Sequence, residues 1–150
     1  MKKSLLILAL MSFIGVSQAI DVGTYAGRAT GPGDNLVGVS VGDKIGPIGI
    51  QATADRSTTQ VTNVNRYTAS VSYDVIKLGP VQTNVRVGFA YLDPQSMKMS
   101  NSGAGFVGAG LSLPVAKNTA VVADYAYQKG NDITKSFNGN VITAGIKYSF

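Results

Sequence analysis

The chain has 150 residues, of which 14% are charged and 18 are Gly; Cys, His and Trp are absent, and all 8 acidic residues are Asp. An ordinary soluble domain carries about 25% charged residues. The lack of Cys and His excludes disulfide staples, thiolate nucleophiles and His-based acid–base sites, and the net charge of +5 is scattered rather than interleaved with aromatics, which excludes a nucleic-acid partner.

In chain order, the first element is a leader. Lys2 and Lys3 precede an apolar stretch over 5–16 that is broken only by Ser12 and Gly15, and Ser17-Gln18-Ala19 follows as a small-x-small site. This is the three-part pattern of a secretory signal peptide, with cleavage expected after Ala19. About twelve apolar residues are too few to cross a bilayer core, which needs roughly 20. The expected organisation is therefore a signal peptide over 1–19 and one domain over 20–150, with 11 basic and 8 acidic residues left in the domain.

Downstream, a repeat sets the topology. Lys44-Ile45-Gly46-Pro47-Ile48 returns 33 residues later as Lys77-Leu78-Gly79-Pro80-Val81, and a degenerate copy covers 113–118. The sequence between copies alternates with period two rather than 3.6. From Arg66 to Val75, Tyr67, Ala69, Val71, Tyr73 and Val75 alternate with Arg66, Thr68, Ser70, Ser72 and Asp74. The same rhythm closes the chain, where Ile142, Ala144, Ile146, Tyr148 and Phe150 share one face. Eight strands are predicted, over 20–30, 35–43, 48–55, 65–76, 81–92, 102–113, 119–129 and 141–150. Three short turns alternate with four longer polar segments over 30–35, 55–65, 94–102 and 130–140.

An even-numbered up-and-down sheet of this kind closes on itself and has no free edges. A secreted lipocalin-like barrel would also have eight strands, but its outer face would be rich in charge. Here the polar face is small (Gly38, Ser40, Gly42, Gly108, Gly110, Ser112), which suits a cramped lumen. The other face carries Val37, Val39, Val41, Ile48, Ile50, Val85, Val87, Phe89, Val107, Leu111 and Leu113, an apolar belt for lipid. Tyr67, Tyr91 and Tyr127 fall towards the loop ends of their strands, and Tyr73, Tyr148 and Phe150 towards the turn ends, like interfacial girdles. The predicted class is all-β, an eight-stranded antiparallel up-and-down transmembrane β-barrel.

The signal, eight strands, short Pro/Gly turns and terminal Ile146-x-Tyr148-x-Phe150 resemble the small OmpA/OmpX-like outer-membrane barrels. The resemblance implies a bacterial outer-membrane location with extracellular loops and periplasmic termini. It also implies that Ile146, Tyr148 and Phe150 act as the signal read by the barrel assembly machinery. The separate peptidoglycan-binding domain of some members is expected to be absent. Functions across that family include adhesion, serum resistance, tethering and narrow pores.

No enzyme is expected, because neither a Ser-His nor an Asp-His arrangement can be built. Gly103-x-Gly105-x-x-Gly108 matches a dinucleotide fingerprint by letters, but it lies within a strand with no helix after it. No cofactor or metal is called for. The predicted lumen network comprises Arg86 and Asp124, with Asp74, Lys147 and Arg66 around them, and Asp55 at the rim. The residues over 21–28 do not fix the facing of the first strand, so Arg28 is left unassigned. Arg56, Lys98, Lys129 and Lys135 lie on or beside the loops, where they can meet outer-leaflet lipopolysaccharide, a host or phage ligand, or only solvent. The functional expectation is a structural or surface-interaction barrel with a filled lumen; a narrow porin-like channel is the alternative, and a soluble ligand-binding barrel a more distant one.

Overall fold

A computed structural model of the chain describes residues 20–29, 34–58, 63–94, 102–130 and 139–150. The predicted signal peptide, Lys98 and Lys135 lie outside the described residues. Eight strands follow one another: β1 (Ile20–Ala29), β2 (Asp34–Ile45), β3 (Ile48–Thr58), β4 (Asn63–Leu78), β5 (Val81–Pro94), β6 (Ser102–Ala116), β7 (Thr119–Gly130) and β8 (Gly139–Ser149). Each pairs antiparallel with the next, and β8 returns to β1 to close the barrel.

The turns obey the local chemistry. Gly46-Pro47 and Gly79-Pro80 are two-residue connections, and both glycines sit at φ 60°. Gly followed by Pro matches a type II′ hairpin, whose first central residue needs positive φ and whose twist suits the flanking strands. The third turn, Lys117-Asn118, has no positive φ; instead a register shift lies just before it, between Pro114 and Ala116. Pro114 has no N–H for the ladder, and a bulge is where a strand tolerates that loss.

The strands run further than the sequence pattern indicates, mostly at the loop ends. β3 continues through Asp55 to Thr58 and β4 begins at Asn63, so the expected polar segment over 55–65 is largely strand. The physical reason is that the lumen accepts polar side chains when each finds a partner. Asp55 accordingly lies inside the barrel, 6% exposed, rather than at the rim.

Facing follows the two-residue alternation. Val37, Val39, Ile50, Val71, Val85, Val87, Phe89, Val107, Leu111, Ile142 and Ile146 all point outward and stay exposed. The core lies inside the loop half of the barrel: Val64, Ala90, Leu92, Ala104, Phe106 and Ala126 pack together, with Leu36 and Val141 buried on β2 and β8. β1 is resolved by the same alternation, with Tyr25 inward and Arg28 outward.

Candidate functional site: the lumen and the loop-end wall

Among the described residues, four ion pairs line the lumen, in layers. Nearest the loops, Arg66 forks onto Asp55, with Nε and Nη2 donating at 2.9–3.1 Å, and Nη1 reaches across the barrel to Gln128 Oε1 at 3.2 Å. Tyr25 Oη donates to Asp55 Oδ2 at 2.7 Å. Asp55 therefore accepts from two neighbours in a site closed to water, the geometry in which a carboxylate–guanidinium pair is strongest. The apolar cluster around Val64, Leu92 and Phe106 packs at this end.

One level down, Arg86 Nη1 lies 3.4 Å from both Asp124 Oδ1 and Gln51 Oε1. Its guanidinium sits 5.9 Å from the centre of the Phe106 ring, within reach of a cation–π contact. Nearer the turns, Lys44 pairs with Asp74. At the seam, Lys147 Nζ lies 2.9 Å from Asp21 Oδ2, and Ser149 Oγ donates to the same carboxylate. The five residues expected to form one network thus belong to four separate pairs. Arg86 and Asp124 meet; Arg66, Asp74 and Lys147 each turn to a different partner, because Asp55, Lys44 and Asp21 are closer in register. The sequence reading missed Tyr25, Asp21 and Lys44, and it left Asp55 outside the lumen. Hairpin register was the available signal, since Asp55 directly opposes Arg66 across the β3–β4 hairpin.

Glycines make these contacts possible. Tyr25, Gly38 and Asp55 are successive partners across β1, β2 and β3, and a Cβ on Gly38 would stand 2.7 Å from Tyr25 Oη. Gly49 lies between Lys44 and the Ser72 level of β4, and Gly110 directly opposes Asp124 beneath Arg86. At Gly38 and Gly110 a side chain on the middle strand would run into the acid of the pair, whereas at Gly49 it would meet Ser72 Oγ.

The layers divide the interior. A cavity of about 370 Å³ occupies the turn half, lined by Asp21, Lys44, Asp74, Asn84, Lys117 and Lys147 among others. Above it a void of about 50 Å³ lies between Tyr25, Thr53, Arg66 and Gln128. Gln51, Arg86 and Asp124 line both and stand between them. Among the described residues no group of three acidic side chains is placed to hold a metal.

The outer wall is apolar with aromatic edges. Tyr67 opposes Tyr91 across β4 and β5, Tyr127 is exposed on β7, Tyr73 faces outward on β4, and Tyr148 meets Phe150 edge to face at 4.9 Å. Tyr125, not expected in the girdle, also faces outward and donates to Asn140 Oδ1 at 2.7 Å. Ile146, Tyr148 and Phe150 share the outward face of β8. Arg56 and Lys129 are exposed on that same wall at the loop ends of β3 and β7. Such a wall is stable only against an apolar surrounding, and a closed barrel leaves no backbone edge unpaired within it.

No protein-family model matches the sequence, and no curated protein sequence matches it. Solved structures do. The barrel is similar to Neisserial surface protein A (TM-score 0.63, 18% identity, covering 88% of this chain and 96% of that one). It is similar to a de novo designed transmembrane β-barrel (0.59, 18%, 88% and 95%) and to a major outer membrane protein of Thermus thermophilus (0.57, 16%, 89% and 100%). The fold is that of the small eight-stranded outer-membrane β-barrels.

Proposed function

We propose that this chain is an integral protein of a bacterial outer membrane, made with a cleaved signal peptide, with its four loops at the cell surface and both termini in the periplasm. It acts as a filled structural barrel that works through its loops and its lipid-facing wall. The observation that carries this reading is the sealed loop half of the lumen, where Val64, Leu92 and Phe106 pack beside the Arg66–Asp55 pair. An interior closed at that level offers no route for solutes, so contact with the outside falls to loops and wall. The partners expected there are lipopolysaccharide and a host or phage surface ligand, and assembly is expected to need the barrel assembly machinery. An enzymatic role finds no support in the lumen, since Asp21, Asp55, Asp74 and Asp124 are each committed to a cation.

The 370 Å³ cavity at the turn end favours a second reading, a narrow pore. Planar-bilayer recording separates the two. The filled barrel is silent, and stable unitary conductance from the unaltered protein would replace this reading with the pore. Deleting the loops one at a time, with adhesion and phage sensitivity as readouts, tests the surface role; no change in any deletion would remove it.

A further inference from the structure

At the loop-end edge of the outer wall, the exposed outward charges among the described residues are Arg28, Arg56 and Lys129, all positive. Arg28 and Arg56 belong together. Arg28 directly opposes Asn35 of β2, and Val37, two residues along β2, directly opposes Arg56 of β3. With strands about 4.8 Å apart and about 3.4 Å of rise per residue, the two arginine Cα atoms lie roughly 12 Å apart on one face. Asn35 stands exposed between them as a further hydrogen-bonding group.

Neither arginine has an ion-pair partner among the described residues. Among the described side chains the nearest acid on the wall is Asp93, reached from Arg56 through Asn65, and it is buried with partners of its own. Below the cations the outward positions are uncharged and mostly apolar: Ala26, Thr24 and Val22 under Arg28, and Ala54, Ala52 and Ile50 under Arg56. Two fixed positive charges at the top of an apolar face meet lipid below and headgroups beside them. The complementary chemistry is a phosphate-bearing lipid headgroup, which a planar guanidinium recognises with paired hydrogen bonds.

We infer that Arg28, Asn35 and Arg56 form a binding site for the phosphates of an anionic glycolipid in the leaflet on the loop side. The inference rests on the membrane reading above and narrows its lipid partner to one place on the wall. Lys129, on the far side of β8, lies outside the site.

The test uses the whole mature chain in detergent, with diphosphorylated lipid A or its dephosphorylated form as the probe and native mass spectrometry counting retained lipid. The unaltered barrel and the turn-end control K77Q/K117Q should retain the diphosphorylated form equally. R28Q/R56Q should bind it about 30-fold more weakly, as expected for two basic residues at about 1 kcal/mol each at a membrane surface. The single variants R28Q and R56Q, each losing part of the binding, decide the matter if the double variant fails to fold. Equal retention by R28Q/R56Q, or equal binding of dephosphorylated lipid, would overturn the site. Unboiled samples on a denaturing gel keep the two readings apart: a fast band for every variant leaves the barrel in place whatever the lipid result. A chain soluble without detergent and lacking that band would overturn both.

Discussion

Glycine does two unrelated jobs in this barrel, and substitution separates them. At Gly46 and Gly79 a Cβ would meet nothing within 4 Å, so the requirement is the backbone at φ 60°. Gly79→Ala should cost about 1–2 kcal/mol through backbone strain alone, read as a lower urea midpoint in lipid vesicles with the lumen intact. At Gly38 the backbone is ordinary and the requirement is space. Gly38→Ala should push Asp55 and Tyr25 apart, and its cost should largely vanish when Asp55 is already Asn, which a double-mutant cycle measures.

The ion pairs differ in the same testable way. Removing Arg66 strands a carboxylate that is 6% exposed, so Arg66→Met should cost about 3–5 kcal/mol. Arg86 holds Asp124 at 3.4 Å beside a 370 Å³ cavity. Water can replace it there, and Arg86→Met should cost clearly less than Arg66→Met in the same urea series. The reverse order would mean that the pair at mid-height, not the one near the loops, anchors the interior.

At the scale of strands, what could be read in advance was whatever the two-residue period carries. That period runs through the strands up to the register shifts near the second and third turns, so count, order and the facing of β2 to β8 were legible, and Gly108 and Gly110 marked the approach of Arg86 to Asp124. The facing of β1 was not, because Val22, Thr24, Ala26 and Arg28 offer no apolar contrast to Asp21, Gly23, Tyr25 and Gly27. Asp55 was hidden for a different reason: polar residues near a predicted loop look like loop, and only register shows them to be paired lumen. β8 makes a prediction at this level. Phe150 is 72% exposed, while its backbone N–H is held by Ile20 O at 3.0 Å. Phe150→Ala should therefore leave in vitro stability within about 1 kcal/mol of the unaltered protein, as surface changes usually do. If Phe150 carries an assembly signal, the same variant should accumulate unassembled in cells; normal assembly would remove that role.

For the molecule as a whole, a closed barrel with an apolar wall should run fast on a denaturing gel until boiled and slow afterwards. A single band at both temperatures would contradict a detergent-resistant closed sheet. Closure also sets where the fold is decided. Lys147 and Asp21, which join the seam, stand 126 positions apart, and Ser149 reaches Asp21 from 128. Contacts that span nearly the whole domain are the slowest to find.

Until β8 arrives, β1 waits as an open template for any compatible strand. A second copy offers the same β8 sequence. At high protein concentration, refolding then becomes a competition between a chain meeting its own end and meeting a neighbour's, and yield should fall as the protein is concentrated while the monomers already formed persist. The seam makes solitude during folding a requirement, and a cell that makes this protein must keep its unfinished copies apart.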